Sequence, residues 1–103
     1  MPRRSSIADT QPVVLPLDAQ TWDAVVVQLG LAPQQERVVR LIVCGARDKR
    51  IASELGLKLP TVRTYLDRIY RRVGVRDRLE LVVKVFTTAH ALRGPAQPGQ
   101  RPE

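Results

Sequence analysis

The sequence is poor in the residues that carry chemistry. Its 103 residues include one cysteine and one histidine. A lone thiol, Cys44, excludes an internal disulfide and a metal site built from several cysteines. Its apolar neighbours Ile42 and Val43 mark it as a small buried hydrophobe rather than a reactive thiol. His90 has no cysteine or acid at ligand spacing and reads as a surface residue of a helix end. With no cluster of acids beside either residue, neither a nucleophile–base pair nor a metal shell can be assembled. We therefore expect no enzyme, no cofactor and no metal ion. Apolar runs are short, and none approaches the ~20 residues needed to span a bilayer. Arg3 and Arg4 are followed by polar residues, so no signal peptide is read and a cytoplasmic location is expected. Aromatic side chains are few, which leaves no basic stretch facing the bulky apolar side that a membrane surface would take.

Acids are also in short supply: ten, against seventeen lysines and arginines, for a net charge of +7. The excess is unevenly placed. Residues 1–30 carry two cations and three acids, while residues 31–92 carry thirteen and six. A surplus confined to one segment points to a polyanionic partner, with nucleic acid ahead of membrane. A chain this short supports one small domain with a marginal core, which makes an oligomer a reasonable expectation.

The basic segment contains the most informative stretch, residues 48–73, DKRIASELGLKLPTVRTYLDRIYRRV. Ile51, Ala52 and Leu55 recur at helical steps, Asp48 is placed to cap them, and Gly56 stands where helices commonly stop. The pattern restarts from Thr61 to Val73, where Val62, Leu66, Ile69 and Val73 form a narrow apolar stripe. Thr64, Asp67, Arg68 and Arg71 point away from that stripe, with Arg63 and Arg72 on its flanks. A short helix, a tight turn and a second helix with a cationic outer face make a helix-turn-helix. A charged outer face is often no more than a solvated one. Here it is almost one-signed: residues 58–78 hold seven cations and two anions.

The remaining pattern completes an all-α domain over residues 17–92. Residues 1–16, with three prolines and no helical period, read as a flexible arm. Asp18–Leu29 reads as a first helix capped by Asp18 and ended by Gly30, with Trp22 as its core anchor. Its Val25–Val27 run also suits a strand, but no partner strand is evident. Leu31–Cys44 is a second helix with Pro33 in its first turn and Gly45 at its end. Asp77 and Glu80 form a capping box opening a last helix to about Leu92. That helix has two apolar stripes, Leu79, Val82, Val83 and Phe86 on one and Leu81, Val85 and Leu92 on the other. One stripe can line the domain's own core. The other needs a second cover, either a two-fold partner, which we expect, or the N-terminal helix. Residues 93–103 are rich in proline and glycine and read as a disordered tail.

These residues carry a resemblance. LAPQQERVVRLIVCG, KRIASELGL, TVRTYLDRIYRRVGV and RDRLELV follow one another without gaps, with Gly45, Gly56 and Gly74 in place. Residues 31–85 resemble the LuxR-type (GerE-like) helix-turn-helix family of bacterial transcription regulators, and the segment before them resembles its short stand-alone members. The resemblance implies a four-helix DNA-binding domain, here with an extra N-terminal helix, that sits at promoters as a dimer. It implies that residues 60–73 enter the major groove of double-stranded DNA, with contacts from Arg63, Thr64 and Asp67. Thr61, Arg71 and Arg72 lie nearby, and Lys49 is placed to approach a phosphate; Arg68, with Arg71 and Arg72, is expected to set register on the backbone. It also implies a homodimer through residues 77–92, for which Leu81, Val82, Val85 and Phe86 are the expected interface. RNA polymerase is a further expected partner, apart from the resemblance, and is one that a protein-interaction module of this fold would bind. The chain departs from the family at Ala32 and Gln35, where threonine and glutamate are usual. That weakens the second helix's cap by about 1 kcal/mol. Lys58 replaces the usual capping serine, so the recognition helix is expected to start through Pro60. Asp67 either accepts from a cytosine amino group or pairs with Arg63 or Arg71. A rival reading keeps the fold but makes it a protein-interaction module with a merely solvated basic face.

Overall fold

A computed structural model describes residues 15–93. Most of the expected arm (1–14) and tail (94–103) therefore lies outside the described residues. Five helices follow in order: α1 Ala19–Leu29, α2 Pro33–Val43, α3 Asp48–Leu55, α4 Leu59–Val73 and α5 Arg78–Arg93. No strand occurs among the described residues, and the Val25–Val27 run is helical.

Local chemistry explains most of the boundaries. The Asp18 carboxylate accepts from the Thr21 amide at 2.7 Å, closing the start of α1. Gly30 ends the helix in the left-handed conformation. At α2 half a capping box survives: Gln35 Oε1 accepts from the Ala32 amide at 2.9 Å, while Ala32 has no side-chain oxygen to return the bond. At α5, Asp77 accepts from the Glu80 amide at 2.9 Å as expected. The Glu80 carboxylate, however, reaches one residue further back than a capping box requires. It accepts from the Arg76 amide at 2.8 Å and from the Arg76 guanidinium at 3.0 Å.

One cap differs from the expectation. Asp48 is not the cap of α3 but its first helical residue; Arg47 is the cap and makes no side-chain capping bond. The Asp48 carboxylate turns instead to Arg78 at the start of α5.

The core is shared by all five helices. Trp22 and Val25 from α1, Val38 and Val39 from α2, Ile51 from α3, Val62 and Ile69 from α4, and Leu81 and Val85 from α5 are all fully buried. Burying a side chain of leucine or valine size contributes about 1.5–3 kcal/mol. Trp22 is the largest, and its indole Nε1 donates to Glu36 at 2.6 Å, so its one polar atom is satisfied. Arg40 pairs with the same carboxylate at 2.7 Å and lies over the Trp22 ring. α1 packs most extensively against α5, and α3 against α4. Cys44 is half-buried, and that burial pushes its thiol pKa up, away from the reactive thiolate.

This packing corrects two of the expected interface residues. Leu81 and Val85 are 0% exposed, taken up by the core they share with Trp22 and Val25. The second stripe of α5 is thus covered from within at Leu81 and Val85, largely because α1 lies along that helix, while Leu92 stays open at its far end. The first stripe stays open, with Leu79 at 71%, Val83 at 54% and Phe86 at 37% exposure.

Candidate nucleic-acid interface

Two short elements set the position of the basic face. α3 ends at Gly56, whose left-handed φ of 66° lets the chain reverse, and the Leu57 amide closes the turn onto the Ala52 carbonyl at 2.8 Å. Lys58 then caps α4 through its backbone alone, and Pro60 occupies the first turn, where its missing amide removes no bond. α4 begins at Leu59, one residue before the expected start. Val62, Leu66 and Ile69 bury one side of it against the core, and Val73 is half-buried. Helical geometry then turns Arg63, Thr64, Asp67, Arg68 and Arg71 outward, and all five are exposed.

The outward residues differ in how free they are. Arg63 and Arg68 make no hydrogen bond or ion pair with any described residue. Asp67 and Arg71 pair with each other at 3.1 Å, so in the free chain Asp67 holds Arg71 rather than Arg63. The Thr64 hydroxyl donates back to the Pro60 carbonyl at 3.2 Å, and Thr61 is half-buried. Arg72 points elsewhere: its Nε donates to the carbonyl of Gly30, the residue that ends α1. Its cation ties the last turn of α4 to the N-terminal helix.

Lys49, exposed on α3, lines the same groove as Arg63, together with Arg47, Asp48 and Arg78. Leu59, Leu79 and Val82 supply apolar lining, so the groove runs from the basic face towards the open stripe of α5. Among the described residues, no group of three or more His, Cys, Asp or Glu side chains could hold a metal ion. None of the described helices is long and apolar enough to cross a membrane.

The sequence reading missed two features. Leu79 and Val83 are more open than the residues assigned to the interface, although the spacing 79, 82, 83, 86 already marked that stripe. The contact of Arg78 with Asp48, thirty positions away, had no local signal at all.

With this geometry in hand, comparison with known proteins is direct. The sequence model of the family described as "Bacterial regulatory proteins, luxR family" (GerE) matches residues 29–85. The chain is 36% identical over 56 residues to the probable HTH-type transcriptional regulator GfsR of Streptomyces halstedii, covering 54% of this chain and 23% of that protein. It is 33% identical over 54 residues to the transcriptional regulatory protein DesR of Bacillus subtilis (strain 168), covering 52% and 27%. The probable transcriptional regulatory protein NarL of Mycobacterium tuberculosis (strain ATCC 25618 / H37Rv) is 34% identical over 56 residues, covering 54% and 26%. The chain thus spans about a quarter of the length of these curated relatives. No solved structure matches it. The matched segment runs from the end of α1 into α5 and takes in the whole basic helix-turn-helix: the chain belongs to the luxR family of bacterial regulatory proteins.

Proposed function

We propose that this chain binds double-stranded DNA in the cytoplasm as a regulator of transcription, with α4 in the major groove. The observation that carries this reading is the outer face of α4, where Arg63 and Arg68 stand exposed, with no partner among the described residues, on the second helix of a helix-turn-helix. Association is driven by phosphate neutralisation, which releases condensed counterions and makes affinity fall steeply with salt. Arg63 reads a base edge, since a guanidinium presents two parallel donors to guanine O6 and N7. Arg68 and Lys49 contact phosphates and set the register. Arg71 joins them if contact with DNA breaks its pair with Asp67, which then becomes free to accept from a cytosine amino group.

The open stripe of α5 supports a homodimer. Leu79, Val82, Val83 and Phe86 fall at steps of three, one and three on one side of a helix, which a two-fold copy of the same helix can cover. Two recognition helices so related would read inverted half-sites. RNA polymerase is the further partner of such a regulator.

Selection of bound duplexes from a random pool tests the reading. The expected result is a pair of inverted motifs, with retention that falls steeply between low and moderate salt. Enrichment of a single unpaired motif would remove the dimer and leave base reading intact. No enrichment, with binding flat in salt, would favour the protein-interaction module instead.

A further inference from the structure

We propose that Arg78 is a positioning residue for the DNA backbone: it fixes the start of α3 and masks the Asp48 carboxylate, so that a phosphate can settle beside Lys49. The proposal rests on the DNA-binding reading above and assigns a role to a residue outside the recognition helix.

Arg78 is the first residue of α5. Its Nη1 donates to Asp48 Oδ1 and its Nη2 to the Ala46 carbonyl, both at 2.7 Å. One planar guanidinium therefore ties three segments together: the loop after α2, the first turn of α3 and the start of α5. Both side chains are largely sheltered, with exposures of 36% and 29%. Shelter at this distance distinguishes the pair from the exposed Asp67–Arg71 pair.

Charge at the first turn of α3 supplies the second half of the argument. The cap residue Arg47 makes no side-chain bond to the first amides of α3, which carry the positive end of the helix dipole. Those amides, Arg47 and Lys49 all favour an anion at this end. Asp48 sits in the same turn and lines the same groove as Lys49 and Arg63. An unpaired carboxylate there would repel a phosphate. Arg78, which lines the same groove, neutralises that carboxylate and leaves the positive charge of Arg47 and Lys49 undiminished.

The test uses the full chain with Arg78→Ala, Arg78→Ala combined with Asp48→Asn, and Asp48→Asn alone, titrated with a duplex of random sequence over a salt series. Circular dichroism checks folding at the assay temperature. Arg78→Ala is expected to weaken binding about tenfold near 0.1 M salt and to flatten the log–log salt dependence by about 0.9, the loss of one phosphate contact. Asp48→Asn in that background is expected to restore most of the affinity and the slope, because the repelling charge is gone. A purely structural tie would lower the Tm of Arg78→Ala and leave the salt slope of the folded variant unchanged. An unchanged slope in Arg78→Ala, or no recovery in the double variant, overturns the proposal. Should Arg78→Ala fail to fold, Asp48→Asn alone decides: undiminished binding supports charge masking, and weakened binding overturns it. A wild-type chain that binds no duplex sinks the DNA reading itself. A wild type that binds while the Arg78 variants behave as a structural tie sinks this role alone.

Discussion

At the scale of single residues, the arginines of α4 divide by what they already hold. Arg63 and Arg68 have no partner among the described residues, so on the proposed reading DNA would meet them at no loss of a bond described there. Arg63→Ala is expected to narrow the gap between selected and random duplexes by about 1–3 kcal/mol. Arg68→Ala should weaken both alike and flatten the salt slope by about 0.9. Equal losses on both duplexes for both variants, measured by fluorescence anisotropy, would refute that division. Arg72 belongs to a third class, because its Nε serves the Gly30 carbonyl. Arg72→Ala should lower the Tm while the salt slope stays near the wild-type value. Trp22 shows the same logic in the core. Trp22→Phe keeps an aromatic ring but removes the donor to Glu36, and should destabilise the domain by about 1.5–3 kcal/mol in urea unfolding, the range for a bond to a charged acceptor.

At the scale of helices, the starts of α1 and α5 are held by carboxylates, and these contribute to the response to acid. The Thr21 backbone amide donating to Asp18 holds that carboxyl below its ordinary value of 3.8. The Arg76 guanidinium, with the Arg76 amide, holds Glu80 below its ordinary 4.5. Groups depressed in the folded state bind fewer protons there than in the unfolded chain, so stability falls as pH falls. Their contribution is complete above those ordinary values and is lost as pH drops through the depressed ones. The Tm should therefore be flat from pH 7 to about 5 and fall below about 4.5. Asp18→Asn together with Glu80→Gln should shrink that acid-side drop; an undiminished drop would show that other carboxylates dominate. Helix ends also show why Gly56 matters. It turns the chain at φ 66° with nothing within 4 Å of where a Cβ would sit. Gly56→Ala thus meets only backbone strain, about 1–2 kcal/mol.

At the scale of the whole molecule, α5 has two jobs on two sides. Its Leu81 side completes the core under α1, and its Leu79 side lies open. Substitutions on the two sides should therefore fail differently. Leu81→Ala is expected to cost about 2–5 kcal/mol and to unfold much of the chain near physiological temperature. If the proposed dimer forms through this face, Leu79→Glu with Val83→Glu should leave the helical content intact and shift sedimentation to monomer, with a drop in affinity for paired half-sites. Loss of fold in the second variant, or an unchanged sedimentation profile, would rule out that face as the interface. Arg78 adds a link at this scale, joining the start of α5 to the brace of the recognition helix.

What the chain alone determined is whatever depends on near neighbours in sequence. Helical spacing predicted the five helices of the described residues, Gly30, Gly56 and Gly74 marked three of the helix ends, and the sign and placement of charge singled out α4. These signals act within one or two turns, so periodicity and capping preference suffice to read them. Tertiary structure decided which stripe of α5 is inside and where the long cationic side chains end up. Both stripes are apolar, and the docking of α1, with α2 and α4, selects Leu81 and Val85 for burial. Arg72 finds Gly30 and Arg78 finds Asp48 across 42 and 30 positions. An arginine's reach is long and its donors accept many partners, so its contact is set by which carbonyl or carboxylate the packed helices bring near. No pattern along the chain carries that information.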